Sequence, residues 1–175
     1  MPVSPGGTSY DNDELDTLFK AVGFVVIQWG QAEQSLEMIV GMLYQSLGGK
    51  SLSNRIPILL TAKLKFLQKC LSSLPILNQF KSEGNALVQK FEELSQKRHD
   101  LIHGAVASLS MDNGGFAFVK LDVKDGFHVA RPVRLESSEF PKLTKDLIDL
   151  GAAATALAKK LWEKVEKPRA TTPGL

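Results

Sequence analysis

The chain has 175 residues, of which 43% are hydrophobic and 23% charged, and its 21 Lys and Arg against 19 Asp and Glu give a net charge of +2. This composition is typical of a globular protein and excludes a wholly disordered chain, because too much apolar surface would remain in water. The best apolar run, residues 21–29, is far shorter than the roughly 20 residues of a membrane span. The lone Cys70 excludes an intrachain disulfide, and no secretory signal is visible, so we expect a cytoplasmic protein.

The charge is unevenly distributed along the chain. Residues 1–54 hold two basic and six acidic side chains, for a net of −4. Residues 55–104 hold eight basic and four acidic side chains, for a net charge of +4. Residues 105–175 hold eleven basic and nine acidic side chains, for a net charge of +2. No tail is basic enough to predict tight, sequence-independent DNA binding. The middle third predicts a locally positive surface, although ordinary solvated helix faces would give the same pattern.

Three helices are predicted in the first hundred residues. Apolar residues at steps of three and four predict a long helix over residues 12–47, stopped by Gly48-Gly49. A second helix is expected from about residue 57 to 74. A third is expected to begin near residue 77 or 85 and to end at Gly104, where a left-handed cap would be typical.

The pattern then changes to alternation. Residues 105–111, 116–124 and 127–135 read as strands, and Asp125-Gly126 is the signature of a tight hairpin turn. A last helix is expected from Ser137 or Ser138 onwards. We therefore predict a mainly α fold, an antiparallel helical bundle of about four helices with a small β-meander inserted before the last helix.

These elements predict a simple domain organisation. The first segment, 1–12, is expected to be a flexible lead, and the last, 168–175, a tail. Between them, 13–167 is expected to be one helical domain, with 105–135 as its β-meander insertion.

The densest polar cluster is residues 97–104, Lys-Arg-His-Asp-Leu-Ile-His-Gly, which holds two of the three histidines in the chain. Arg98 shares the apolar stripe of the third helix, so it should point inward or into an interface. An imidazole can move the protons of RNA phosphoryl transfer, and a guanidinium can hold the developing charge. Arg98 and His103 lie about 140° apart around one helix, so two symmetric chains would gather both pairs around one cleft.

Two other interpretations of this cluster remain open. Basic residues at the end of a helix also favour its dipole. His99 and His103, four residues apart, share a helix face that can suit zinc. However, Asp100 stands where the zinc protease motif has Glu, and no third ligand is evident, so we expect no metal.

The segment Arg98-His99-x-x-x-His103 resembles the signature of the HEPN domain family (higher eukaryotes and prokaryotes nucleotide-binding), in which an Arg and a polar residue precede a His. The resemblance implies an all-α bundle with its motif at a helix end, and many members are metal-independent endoribonucleases of defence and toxin systems. Residues 29–36, Trp-Gly-Gln-Ala-Glu-x-x-Leu, resemble the first helix of bacterial members.

The resemblance also implies roles for individual residues. Arg98 would bind the phosphate, His103 would be the general base or acid, and His99 would orient either of them. Asp100, Trp29 and Glu33 are expected to support this site. Glu33 falls on the apolar stripe of the first helix, so we expect its carboxylate to contact Arg98 or a motif histidine. The alternative is that Glu33 lies at the edge of the stripe and is exposed to solvent.

The sequence therefore predicts a metal-independent endoribonuclease, or an RNA- or nucleotide-binding protein, that works as a homodimer without a cofactor. An antitoxin-like protein is a candidate partner, and no membrane partner is expected. The alternative function, from another class, is a non-catalytic helical dimer that acts as an interaction module.

Overall fold

The computed structural model describes residues 12–110 and 115–166. The expected tail and, apart from its final residue, the expected lead lie outside the described residues, as does the last residue of the first predicted strand, residue 111. Within the described ranges, no helix combines the length and apolar character needed to cross a bilayer.

The described chain is mainly helical, with one small sheet before the last helix, as the sequence predicts. The order of elements is α1 (Asn12–Gln45), α2 (Leu60–Ser73), α3 (Lys81–His103), β1 (Ala105–Ser110), β2 (Gly115–Lys124), β3 (Phe127–Glu136) and α4 (Phe140–Glu166). Short 3₁₀ turns cover Gly49–Ser51, Pro75–Phe80 and Ser137–Glu139.

The helix boundaries follow from backbone chemistry. α1 ends at Gln45, two residues earlier than predicted, and Gly48 follows with a φ of 93°, in the left-handed region that glycine adopts without strain. α2 begins at Leu60, three residues later than predicted, because the N-cap residue Leu59 has an extended backbone. Pro75 opens the next 3₁₀ turn at its first position, where a missing N–H costs nothing.

The described chain divides into two compact units whose boundaries fall within α1, α3 and α4. One unit, residues 27–96 and 145–166, contains helices and no strand, and its core is mainly aliphatic, with Trp29 packed edge-on against Phe91 at 5.6 Å. Its α3 and α4 segments run antiparallel, because Glu83 pairs with Lys160 while Lys90 lies near Asp149.

The other unit, residues 12–26 and 97–144, contains the sheet. Its strands lie in the order β1-β2-β3, all antiparallel, which confirms the predicted meander. β2 and β3 pair continuously from Gly115↔Glu136 to Lys124↔Phe127. The connecting Asp125 and Gly126 have φ values of 53° and 83°, the type I′ geometry that their sequence predicts.

The β2–β3 hairpin has two chemically different faces. On the inner face Phe116, Phe118 and Lys120 of β2 are buried. On the outer face Val119, Leu121 and Val123 are 36%, 66% and 69% exposed. Side chains alternate across a strand, so one short element carries an inner face with aromatic and charged side chains and an apolar outer face.

The predicted left-handed cap at Gly104 is wrong. Among the described glycines only Gly48 and Gly126 have positive φ. Gly104 instead lies so close to its surroundings that a Cβ would sit 2.7 Å from the Asp100 carbonyl oxygen and 2.9 Å from Phe118 Cβ. Glycine is required here by the close approach of β2 to the end of α3, and this approach positions the site described next.

Candidate functional site

The two motif histidines form an exposed pair at the end of α3. His99 and His103 lie one turn apart, and their ring centroids are 4.6 Å apart with the planes tilted by 55°. Both side chains are exposed. The spacing of four therefore places two imidazoles on one accessible face, as the sequence predicts.

Arg98 is half-buried, in agreement with its place on the apolar stripe. Its Nε atom is fully buried and has no hydrogen-bond partner among the described residues. A buried donor on a charged guanidinium is costly unless something accepts from it. The arginine thus keeps hydrogen-bonding capacity beside the histidine pair.

Asp100 joins the end of α3 to the hairpin. Its Oδ1 accepts hydrogen bonds from Lys120 Nζ at 3.2 Å and from an Arg131 Nη at 2.7 Å. Arg131 Nε also donates to Asp122 at 2.6 Å, and Lys120 Nζ lies 3.3 Å from the same carboxylate. Two carboxylates and two cations therefore form one closed network, here called the Asp100 network.

The Asp100 network is stable in its charged form. Partial burial alone would raise the pKa of Asp100, but hydrogen bonds from Arg131 and Lys120 outweigh it, so the pKa lies below its ordinary value. The hydrogen bond from Arg131 likewise lowers the pKa of Asp122. The same two carboxylates raise the pKa of Arg131. All three groups remain ionised at neutral pH.

The network also acts on the neighbouring histidine. Partial desolvation lowers the pKa of His99 below 6.5, and the positive charges of Lys120, His103 and Arg98 lower it further. The Asp100 carboxylate opposes part of this effect. The neutral form of His99 therefore predominates at neutral pH, and neutral imidazole is the form that accepts a proton.

The two supporting residues predicted on α1 contact each other. Trp29 is buried, and its Nε1 donates a hydrogen bond to Glu33 Oε2 at 3.0 Å. Glu33 is half-buried, so it lies at the edge of the stripe and already has the indole as a partner. A contact of Glu33 with Arg98 or a motif histidine stays a prediction.

Two other chemistries find little support in the described residues. No group of three His, Cys, Asp or Glu side chains there is arranged to hold a metal ion. Cys70 is fully buried, and burial raises the pKa of its thiol to about 11. A thiol in that state is a poor nucleophile at neutral pH.

Sequence reasoning missed the hairpin's contribution to the site. Lys120 and Arg131 face each other across β2 and β3, and both reach Asp100. The available signal was the alternation of β2, which places Lys120 in phase with the apolar Phe116 and Phe118. A lysine on a buried strand face needs a carboxylate partner, but only the fold shows that Asp100 is that partner.

Comparison with known proteins finds no matching family model, no similar curated protein and no similar solved structure.

Proposed function

We propose that this protein is a metal-independent endoribonuclease whose reacting groups are His99, His103 and Arg98. The observation that carries the proposal is the exposed histidine pair at the end of α3, with a lowered pKa at His99 and cations around it. The resemblance of the segment to the HEPN signature points to the same chemistry.

The proposed reaction is the attack of a ribose 2′-hydroxyl on the adjacent phosphorus. Neutral His99 takes the 2′-hydroxyl proton while the bond from the 2′-oxygen to phosphorus forms. The bond to the 5′-oxygen breaks, and His103, as the general acid, gives a proton to that leaving oxygen. Arg98 stabilises the charge that develops on the phosphoryl oxygens. The products are a 2′,3′-cyclic phosphate and a free 5′-hydroxyl.

The geometry favours a dimer for this reaction. In an in-line displacement the attacking and leaving oxygens lie on opposite sides of the phosphorus. Two rings with centroids 4.6 Å apart on one helix face are too close to flank a phosphate between them. A second copy of α3 supplies the opposite side, so that one chain gives the base and its partner the acid.

The first prediction tests this chemistry with single substitutions. His103→Ala and Arg98→Ala are each expected to lower the rate of RNA cleavage by about 100-fold or more, because each removes a group that acts in the transition state. The rate is measured on a fluorescent RNA pool in the presence of a chelator, and the cyclic phosphate end is identified by mass spectrometry.

The control on the same helix is Lys81→Ala, which truncates an exposed lysine at the opposite end of α3 from the motif. Its cleavage rate should equal that of the unmodified protein. Cleavage that persists unchanged in His103→Ala contradicts the assignment.

A second candidate function, a non-catalytic interaction module, is favoured by a different observation. The outer face of the hairpin exposes Val119, Leu121 and Val123 side by side, and exposed apolar patches mark protein contacts. RNA that binds the pure protein without being cut, in every pool tested, would favour this function over cleavage.

A further inference from the structure

The segment between α1 and α2 forms an open groove of about 640 Å³ together with the first turns of α2. Its wall exposes three aliphatic side chains in a row of four residues: Ile56, Ile58 and Leu59 are 40%, 79% and 75% exposed. Isolated exposed leucines are common, but a contiguous cluster in a concave surface is typical of a binding site.

The charges of the groove all have one sign. Arg55, Lys65 and Lys69 line it, and no carboxylate does. Lys69 Nζ donates to the Leu52 carbonyl oxygen at 2.7 Å and is held in place, whereas the side chains of Arg55 and Lys65 are exposed. The groove therefore offers positive charge beside apolar surface.

The start of α2 adds to this polarity. Leu59 occupies the N-cap position and provides no side-chain hydrogen bond, and the first turn of the helix has no acidic residue. The free N–H groups of that turn lie beside Ala62, which lines the groove. Both the backbone and the lysines thus favour a negatively charged ligand.

The groove is formed in advance of binding. Ser53 Oγ donates to the Arg55 carbonyl oxygen at 2.7 Å, and Tyr44 Oη donates to the Asn54 carbonyl oxygen at 3.3 Å. Pro57 fixes its own φ, and the buried Phe66 forms part of the floor. A preorganised site avoids the entropy loss of ordering a loop on binding.

We propose that this groove binds an acidic, amphipathic segment of a partner protein. The partner's Asp and Glu side chains pair with Arg55, Lys65 and the start of α2, and its aliphatic or aromatic side chains cover Ile58 and Leu59. A nucleic acid is a poorer fit, because the groove offers no exposed aromatic ring for base stacking. The proposal is independent of the ribonuclease proposal.

The test is selection of a random dodecapeptide phage library on the full-length protein. Enriched sequences are expected to combine Asp or Glu with Leu, Ile or Phe, and a fluorescein-labelled copy of the best sequence then gives the affinity. The double variant Arg55→Glu/Lys65→Glu should weaken its binding at least about tenfold, and Ile58→Ser/Leu59→Ser should do the same.

The matched control is Lys81→Glu/Lys124→Glu, which reverses two exposed lysines outside the groove and should leave peptide affinity unchanged. Circular dichroism melting checks that each variant is folded. The proposal is overturned if no acidic consensus emerges, or if the selected peptides bind both groove variants as tightly as the unmodified protein. Oligouridine binding is measured as the competing outcome. The proposal is also overturned if no peptide binds and the groove variants bind oligouridine more weakly than the unmodified protein does. RNA cleavage by the groove variants should be unaffected, which separates this test from that of the ribonuclease.

Discussion

Asp100 is the residue on which the candidate site is built. Its carboxylate is 13% exposed, and it holds Lys120, itself 11% exposed, together with Arg131. The sequence predicts Asp100 as a supporting residue but does not predict its partners. In the structure its carboxylate holds two cations of the hairpin at the end of the helix that carries the histidines.

The second prediction concerns the removal of this carboxylate. Asp100→Asn should lower the free energy of unfolding at pH 7 by about 1–3 kcal/mol, because it leaves Lys120 half-paired in a buried position. Urea unfolding measures the change. Asp149→Asn, which breaks the exposed pair with Lys145, should have a much smaller effect.

The pH dependence of that difference has a definite sign. The folded-state pKa of Asp100 is lowered, so its stabilising contribution is present above the unfolded pKa of about 3.8 and is lost as the pH falls through the folded value. The stability difference between the unmodified protein and Asp100→Asn should therefore shrink below about pH 4. A difference that stays constant into the acid range contradicts the role given to the charged carboxylate.

The third prediction concerns the pKa of His99. Lys120→Ala removes a positive charge that lowers it, so the pKa should rise toward 6.5. An NMR titration of the ring protons measures this shift, and Lys124→Ala, at the exposed end of the same strand, is the control. An unchanged titration of His99 in Lys120→Ala would show that the hairpin does not tune the ring. A raised pKa also moves the acid limb of the pH–rate profile for RNA cleavage to higher pH.

At the scale of elements, the junction of α3 with β2 depends on Gly104. The fourth prediction is that Gly104→Ala destabilises the protein by about 1–3 kcal/mol, because its Cβ would overlap the Asp100 carbonyl oxygen and Phe118. Gly23→Ala in α1 is the matched control. A Cβ there meets nothing within 4 Å, so helix propensity alone should stabilise the protein by up to about 1 kcal/mol. Thermal melts of both variants give the comparison, and equal effects would contradict the close-approach argument.

The sequence predicts an element correctly when the residues of that element alone specify it. The helices and the Asp125-Gly126 hairpin are specified locally, by apolar spacing and by a turn that needs two residues at positive φ. The requirement at Gly104 is not local, because it comes from Phe118 on another element. A glycine at a helix end fits both a left-handed cap and a close contact, and the sequence alone favours the commoner of the two.

At the scale of the whole molecule, the sequence likewise predicts the local features of the site but not those that depend on a distant element. The shared face of His99 and His103 is a property of one helix, so their spacing predicts it. The partners of Asp100 lie about 20 and 30 residues away and become visible only when β2 and β3 are folded onto α3. The hydrogen bond from Trp29 to Glu33 is again a local, i to i+4 contact that helical spacing allows.

The fifth prediction concerns association of two chains. If the outer face of the hairpin forms the dimer contact, Leu121→Glu should shift the protein from dimer to monomer in sedimentation velocity, because it places a charge in an apolar contact. Ile148→Glu on α4, a second exposed aliphatic position, is the control and should leave the dimer intact. A protein that is monomeric at every concentration, or a Leu121→Glu variant that stays dimeric, contradicts this contact.

The alternation of side chains along β2 limits which insertions and deletions the hairpin can accept during evolution. Odd positions carry hydrocarbon and even positions carry the aromatic and ionic groups, in a register that continuous pairing with β3 maintains. One codon gained or lost between Phe118 and Lys120 would invert every later position of β2, so that the Lys120 ammonium group and the Asp122 carboxylate would face outward and Leu121 would face Asp100. Descendants of this chain should therefore vary in hairpin length by whole pairs of residues at the Asp125-Gly126 tip, while the stem keeps its count.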